Sequence, residues 1–186
     1  MTDFHSLEEL KAWLIKNGID ISQWGTGGTK SLANLWDELV NGDIAIQDNP
    51  PVRVVGVVKI LIRKGDRVLT EVEQELGDGE VGRRRKRWCL PSEKMKPGEK
   101  PEDAALRCLK EELGLDEQDV ISLKFTHEKV KESDSPSYPG LSTQYTFVTI
   151  EARVNGLPDT DFWRENTAYQ HGDPVYRQHW GWYTFG

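Results

Sequence analysis

Cysteine is scarce: Cys89 and Cys108 are the only two in 186 residues, and they form neither a C-x-x-C pair nor a disulfide framework. No apolar run approaches the roughly 20 residues needed to span a bilayer, which excludes a membrane-spanning helix. The start, Met-Thr-Asp-Phe-His, lacks the basic stretch and apolar segment of a secretory signal. These absences predict a reducing, cytoplasmic setting. Basic charge is also in deficit, with 24 Lys and Arg against 31 Asp and Glu and a formal charge of −7. A chain that coats nucleic acid owes most of its affinity to a net basic surface, so nucleic acid is not an expected partner. The four histidines, His5, His127, His171 and His179, show no metal-ligand spacing, and no internal repeat is present.

The length suits one α/β domain with a small extension and one hydrophobic core. Ser6-Leu7-Glu8-Glu9 reads as a capping box, with Leu7, Leu10, Trp13 and Leu14 on one helical face and Asn17-Gly18 as the stop. A second apolar stripe, Leu32, Leu35, Trp36 and Leu39, ends at Asn41-Gly42. Residues 1–50 are therefore expected to form a two-helix extension, and 51–186 the main domain. The glycine-rich stretch Gly25 to Ser31 lacks the G-x-x-x-x-G-K spacing of a phosphate loop and reads as a helix-entry turn.

Val52 to Ile62 is the densest β-branched run and predicts a central strand, joined through Lys64-Gly65-Asp66 to Val68–Val72 as an antiparallel hairpin. The polar segment Gly77 to Arg87 is expected to be a surface loop. Further strand signals lie at Val120–Phe125 and Gln144–Val154, separated by a Ser/Pro/Gly-rich loop. The tail from Asp159 has little clear periodicity. Strands interrupted by helices, with hairpins, point to an α/β or α+β fold with a mixed β-sheet.

One helix, at about 101 to 114, is specified at both ends. Pro101 suits the first turn, Glu102 and Asp103 favour the positive end of the dipole, and Gly114 suits the exit. Ala105, Leu109 and Leu113 share one face; Ala104, Cys108, Glu111 and Glu112 share another, so two adjacent glutamates are expected to leave the helix from one patch. Carboxylates of that kind, joined by Glu99 at the helix entrance, are the hard ligands that Mg²⁺ or Mn²⁺ selects. A Glu-Glu pair also fits a solvated helix face, and the surrounding residues decide between the two.

Those surroundings are Trp88-Cys89-Leu90-Pro91, Lys94, Pro97-Gly98-Glu99, Ala104-Ala105, Arg107, Leu109, Glu111-Glu112 and Gly114-Leu115. Together they resemble the Nudix box, G-x5-E-x7-R-E-U-x-E-E-x-G-U with U aliphatic, aligned without a gap. Two positions depart: Glu93 stands in place of the first glycine and Cys108 in place of the glutamate after the arginine. The resemblance is specific over Trp88 to Leu115 and extends in element order over about 52 to 154. It implies an α/β/α sandwich and hydrolysis of a nucleoside diphosphate linked to another group. It also implies Glu99, Glu111 and Glu112 as metal ligands for Mg²⁺ or Mn²⁺, and Arg107 as the residue that orients the glutamates. In the family the missing glutamate contributes to metal binding, and a thiol is a poor magnesium ligand. The alternative is accordingly a nucleotide- or phosphate-binding module that has lost most hydrolysis.

Arg83, Arg84, Arg85 and Arg87, with Lys86 among them, form the strongest charge cluster and run into that box. Guanidinium forks suit phosphate oxygens, so the cluster is a candidate for contact with a small phosphorylated ligand, the alternative being a solvated loop. His179-Trp180-Gly181-Trp182 reads as aromatics closing the core, with base stacking as the second reading. Oligomeric state stays open, a homo-oligomer included.

Overall fold

In the computed structural model, which describes residues 2–77, 83–167, 169 and 174–184, the Ser6 side chain accepts from Glu9 N at 3.2 Å and caps α1, Leu7–Lys16. Ser31 caps α2, Leu32–Val40, in a reciprocal capping box with Asn34. The glycine-rich stretch before Ser31 is the expected entry turn, closed by Thr29 Oγ1 accepting from Gly25 and Thr26 backbone N–H groups. Both helices exist because their apolar stripes are buried: Leu10, Leu14 and Leu35 are fully inaccessible. Each such leucine contributes about 2 kcal/mol relative to an exposed one.

The chain divides into two compact units, described separately. The first holds residues up to Val57, Lys94–Glu99 and Glu128–Phe147. Its core joins Leu10, Leu14, Ile19, Trp24, Leu35, Ile44, Ile46, Val55, Tyr138 and Leu141. Trp24 Nε1 donates to Pro139 O at 3.0 Å, tying the segment between the helices to residues 115 positions away. A short strand β1, Ala45–Gln47, pairs antiparallel with the start of β2, Val52–Lys64.

At the centre of this unit lies a buried charge. Glu38, 6% exposed, receives Arg53 at 2.7 Å, Lys30 at 2.6 Å and Lys94 at 3.2 Å. The Arg53 guanidinium, also buried, stands 5.2 Å from the centre of the Tyr138 ring. Burial works against the Glu38 anion, but the hydrogen bonds from Lys30 and Arg53 and the charges of Arg53 and Lys94 outweigh it and hold the carboxyl down at about 2.

The second unit holds Val58–Glu93, Lys100–His127 and the chain from Val148 onward. The predicted hairpin is present. Strand β2 turns at Gly65, whose φ of +64° suits the tight two-residue connection, and pairs antiparallel with β3, Arg67–Leu76, through Arg63↔Val68 and Lys64↔Arg67. Two later strands were not legible as periodicity: β8, Phe162–Glu165, and β9, Val175–Tyr183, lie in the tail and pair with each other, and β9 pairs with β3. Trp180 and Trp182 are 1% and 8% exposed, so these aromatics do close the core.

A second correction concerns Gly77 to Arg87. Residues 78–82 lie outside the described residues, but Arg84–Cys89 is a strand, β4, rather than loop, and it pairs with β3. Its register sets Lys86 opposite Glu73, Arg85 opposite Gln74 and Arg84 opposite Glu75. Complementary cross-strand charge replaces the usual apolar pattern, which is why hydrophobic periodicity did not reveal it.

The remaining strands are β5, Ser92–Met95, β6, Val120–Asp134, and β7, Ser142–Val154. Strand β6 runs nine residues beyond the predicted Phe125, through a polar and mostly exposed stretch. In the order along the sheet, β6 is followed by β7, β2, β3, β9 and β8. The fold is α+β with a mixed sheet, as expected. Among the described residues no helix is long and apolar enough to cross a membrane.

A carboxyl held near 2 stabilises the fold above its unfolded value of about 4.5 and loses that contribution as pH falls towards 2. Glu38→Gln should therefore lower stability at pH 7 by about 3 kcal/mol, with a smaller deficit at pH 3. Urea midpoints measured from pH 7 to pH 3 check this; parallel curves for the two proteins would refute it.

Candidate active site

The helix α3, Pro101–Leu113, starts at Pro101 with Glu102 and Asp103 in its first turn and ends at Gly114, whose φ is +66°. Gly114 N donates to Lys110 O and Leu115 N to Leu109 O, the paired bonds of a left-handed cap. A Cβ at Gly114 would meet only the movable end of the Arg164 side chain, so it is the positive φ that favours glycine there.

The apolar face of α3 is buried as expected, but the second face is not one patch. Ala104, Ala105, Cys108, Leu109 and Leu113 are all buried, and Cys108 is fully inaccessible. The glutamates part company as well. Glu111, 54% exposed, turns along the helix to Arg107 at 3.8 Å. Glu112 is half-buried and its Oε2 accepts a hydrogen bond from Gln178 Nε2 on β9. Successive residues on a helix are about 100° apart, and at the margin of the buried stripe that rotation separates a solvated carboxylate from a shielded one.

Arg107 forms ion pairs on both sides of the start of α3. Its guanidinium reaches Glu93 at 3.5 Å and Glu111 at 3.8 Å, linking the segment before the helix to the helix itself. Glu93, at the position of the family's first glycine, thus contributes a carboxylate to this neighbourhood. Glu99 belongs to the first unit, where its carboxylate accepts from Lys96 N at 2.7 Å and closes the turn before α3.

Sequence reasoning missed the side chains that the sheet supplies. On β3, Glu71 is 4% exposed and Gln74 7% exposed; on β9, Gln178 is 6% exposed. Glu71 Oε1 accepts from Gln74 at 2.6 Å, while Oε2 accepts from Arg87 at 3.2 Å and from the Cys89 thiol at 3.4 Å. Gln74 and Gln178 are direct partners across β3 and β9. The available signal was only that Glu71 interrupts a strand otherwise suited to burial.

The electrostatics follow from this assembly. Burial pushes the Glu112 carboxyl up to about 7; the charges of Glu71, Glu93 and Glu111 add to the rise and the Gln178 hydrogen bond opposes it. Burial likewise raises Cys108 well above the usual thiol range, reinforced by Glu112, so Cys108 is a neutral thiol at physiological pH. Burial and the Glu71 charge push Cys89 up to about 11. Neither cysteine is paired in a disulfide, and neither is an activated nucleophile.

Other buried or half-buried carboxylates carry cationic partners: Glu38 has Arg53, Glu71 has Arg87, Glu73 has Arg84 and Glu75 has Arg177. Glu112 has the neutral amide of Gln178. Among the described residues it has no lysine or arginine at ion-pair distance.

The arginine cluster is engaged internally. Arg84 pairs with Glu73 at 3.0 Å and lies 5.1 Å from the Trp163 ring centre, Arg85 Nε donates to Gln74 at 3.1 Å, and Arg87 pairs with Glu71. Arg83 is exposed at the start of the strand. Among the described residues no three or more His, Cys, Asp or Glu side chains form a ready-made metal cage.

A family model described as NUDIX domain matches residues 50–179. No curated protein matches the chain closely in sequence. Among solved structures, the chain is similar to a NUDIX hydrolase from Nitrosomonas europaea, with 19% identity over 68% of this chain and 71% of that one and a TM-score of 0.39. It is similar to an ADP compounds hydrolase, with 22% identity over 68% of this chain and 57% of that one and a TM-score of 0.36. A C. elegans Ap4A hydrolase gives 17% identity over 69% and 78% of the two chains and a TM-score of 0.36.

Because the Gln178 bond lowers the Glu112 value, Gln178→Leu should move the Glu112 titration upward from about 7 in the metal-free protein. Carboxyl carbon NMR of labelled glutamate reads this directly; a downward or absent shift would mean that Gln178 does not hold the charged form.

Proposed function

The chain belongs to the Nudix family, and we propose that it is a divalent-cation-dependent hydrolase that cleaves the pyrophosphate bond of a nucleoside diphosphate derivative. The observation that carries this reading is Glu112, a half-buried carboxylate among like charges that lacks a cationic partner among the described residues. Such a group is stabilised by a cation from outside the chain.

The donor set suits Mg²⁺ or Mn²⁺. Carboxylate oxygen is the hard ligand both ions prefer, and the neutral, buried Cys108 thiol does not compete. Magnesium keeps several waters and binds through one or two carboxylates together with substrate phosphate, so a closed cage is not needed. Glu111 and Glu112 would hold the ion. When bound, the ion neutralises the pyrophosphate and lowers the pKa of water available for attack on phosphorus.

The chain's own residues prepare that site. Gln178 fixes one oxygen of Glu112, and the other would be the one offered to the ion. Arg107, held between Glu93 and Glu111, sets the Glu111 carboxylate along the helix and does not need to touch substrate. Burial of Leu109 and Leu113 anchors the helix so that these oxygens keep their places. Arg84, Arg85 and Arg87 already share donors with Glu73, Gln74 and Glu71. Each guanidinium has five N–H donors, so those remaining on Arg84, Arg85 and Arg87 would meet phosphate oxygens at lower cost than unanchored arginines would pay in ordering. The free thiols support an intracellular, cytoplasmic setting.

The second reading, a binding module with little turnover, is favoured by Cys108, which is neutral and fully buried where the family carries a carboxylate. Release of nucleoside monophosphate from a panel of nucleoside diphosphate derivatives with Mg²⁺ or Mn²⁺ separates the two. Hydrolysis by the natural protein, lowered roughly 10²-fold or more by Glu112→Gln, is expected. Ligand binding without turnover, with turnover appearing only in Cys108→Glu, would favour the binding module.

A further inference from the structure

In a regular strand, residues 71 and 74 point to opposite faces. Here their side chains share a hydrogen bond of 2.6 Å. The cause is a register shift between Glu71 and Glu73: against β9, where they pair with Trp180 and His179, Val72 is the extra residue, and against β4, where they pair with Cys89 and Lys86, the extra residue lies on β4. On the β4 side the shift falls opposite Arg87 and Trp88, and Trp88 has a φ of +52°, a strained value for a bulky residue. Two coincident irregularities re-aim one side chain, that of Glu71, onto the face of Gln74.

That face leads to α3. Gln74 and Gln178 are cross-strand partners, standing about 5 Å apart at their Cα atoms. Gln74 bonds Glu71 and Gln178 bonds Glu112, so the two carboxylates hang from adjacent amides. Of the Glu71 oxygens, Oε2 takes Arg87 and Cys89, whereas Oε1 takes only Gln74 and keeps a lone pair for another ligand. Meanwhile Cys108, fully buried on α3, offers no carboxylate at all. The fold has thus removed a negative charge from the helix and brought one to the same neighbourhood from the sheet.

We propose that Glu71 supplies from β3 the carboxylate that position 108 of the helix lacks, and that it helps Glu112 to hold the divalent cation. This rests on the hydrolase reading and assigns within it a residue outside the Nudix box. Glu71 would act on the ion directly or through one water, with Arg87 at 3.2 Å fixing its other oxygen.

The test is Mn²⁺ binding to the full chain, followed by loss of the free-ion electron paramagnetic resonance signal, which does not depend on turnover. Glu71→Gln should weaken binding about 10-fold or more, and Glu71→Asp should retain most of it. Glu71→Gln combined with Cys108→Glu should recover what Glu71→Gln alone loses. Glu73→Gln, which removes a charge from the other face of the same strand, should change binding less than about 2-fold. The proposal is overturned if Glu71→Gln binds Mn²⁺ as the natural protein does, or if Glu73→Gln weakens it equally. Should the double variant fail to fold, the contrast between Glu71→Asp and Glu71→Gln decides. Absence of Mn²⁺ binding by the natural protein would sink the hydrolase reading itself, an outcome distinct from unchanged binding by Glu71→Gln.

Discussion

A carboxylate removed from water must be given a partner, and the second unit is arranged around that requirement. Strand β3 brings Glu71, Glu73 and Glu75 to the sheet, and Arg87, Arg84 and Arg177 arrive from β4 and β9 to meet them. That exchange of charge is what makes β4 a strand at all, since it has no apolar alternation to offer. The helix is anchored independently, by Leu109, Leu113 and the left-handed cap at Gly114. Within this largely neutralised sheet the Glu112 carboxylate is left with an amide alone. On the function proposed above, a cation from outside the chain would supply the partner it lacks among the described residues.

The first unit solves the same problem differently. Glu38 is buried more deeply but meets three cations, so its carboxyl is held low where that of Glu112 is pushed high. Coulombic attraction and hydrogen bonds win over desolvation at Glu38; desolvation and like charge win at Glu112. The first arrangement fixes α2 to β2 and has no reactive capacity. The second leaves a group whose charge responds to what binds beside it. The contrast separates a fully paired ion cluster from one that the proposed function would draw on.

Cys108 shows how a departure from a motif is absorbed. A small apolar thiol suits the position because the residue is fully buried against other side chains, and its neighbours keep it protonated. Placing an anion there would add to the charges of Glu93, Glu111 and Glu112. The bulge at Val72, which turns Glu71 towards the same carboxylates while Arg87 balances it, is a less costly way to add an oxygen ligand.

The order of residues alone determined α1, α2 and α3 with their caps, the β2–β3 hairpin, and the Nudix signature from Trp88 to Leu115. Each depends on neighbours within a few positions, so propensity, capping and spacing suffice. Only the tertiary structure decided that β4 is a strand, that Glu111 and Glu112 part at the edge of a buried stripe, and that Gln178 reaches Glu112. The physical reason is range: cross-strand charge pairing, burial and register are set by residues far apart in the chain, 66 positions at Glu112 and Gln178 and 102 at Glu75 and Arg177. Glu71 marks the limit most sharply. Whether it faces the helix or the opposite side of the sheet depends on one extra residue in the strand, and periodicity read along the chain has no means of locating that residue.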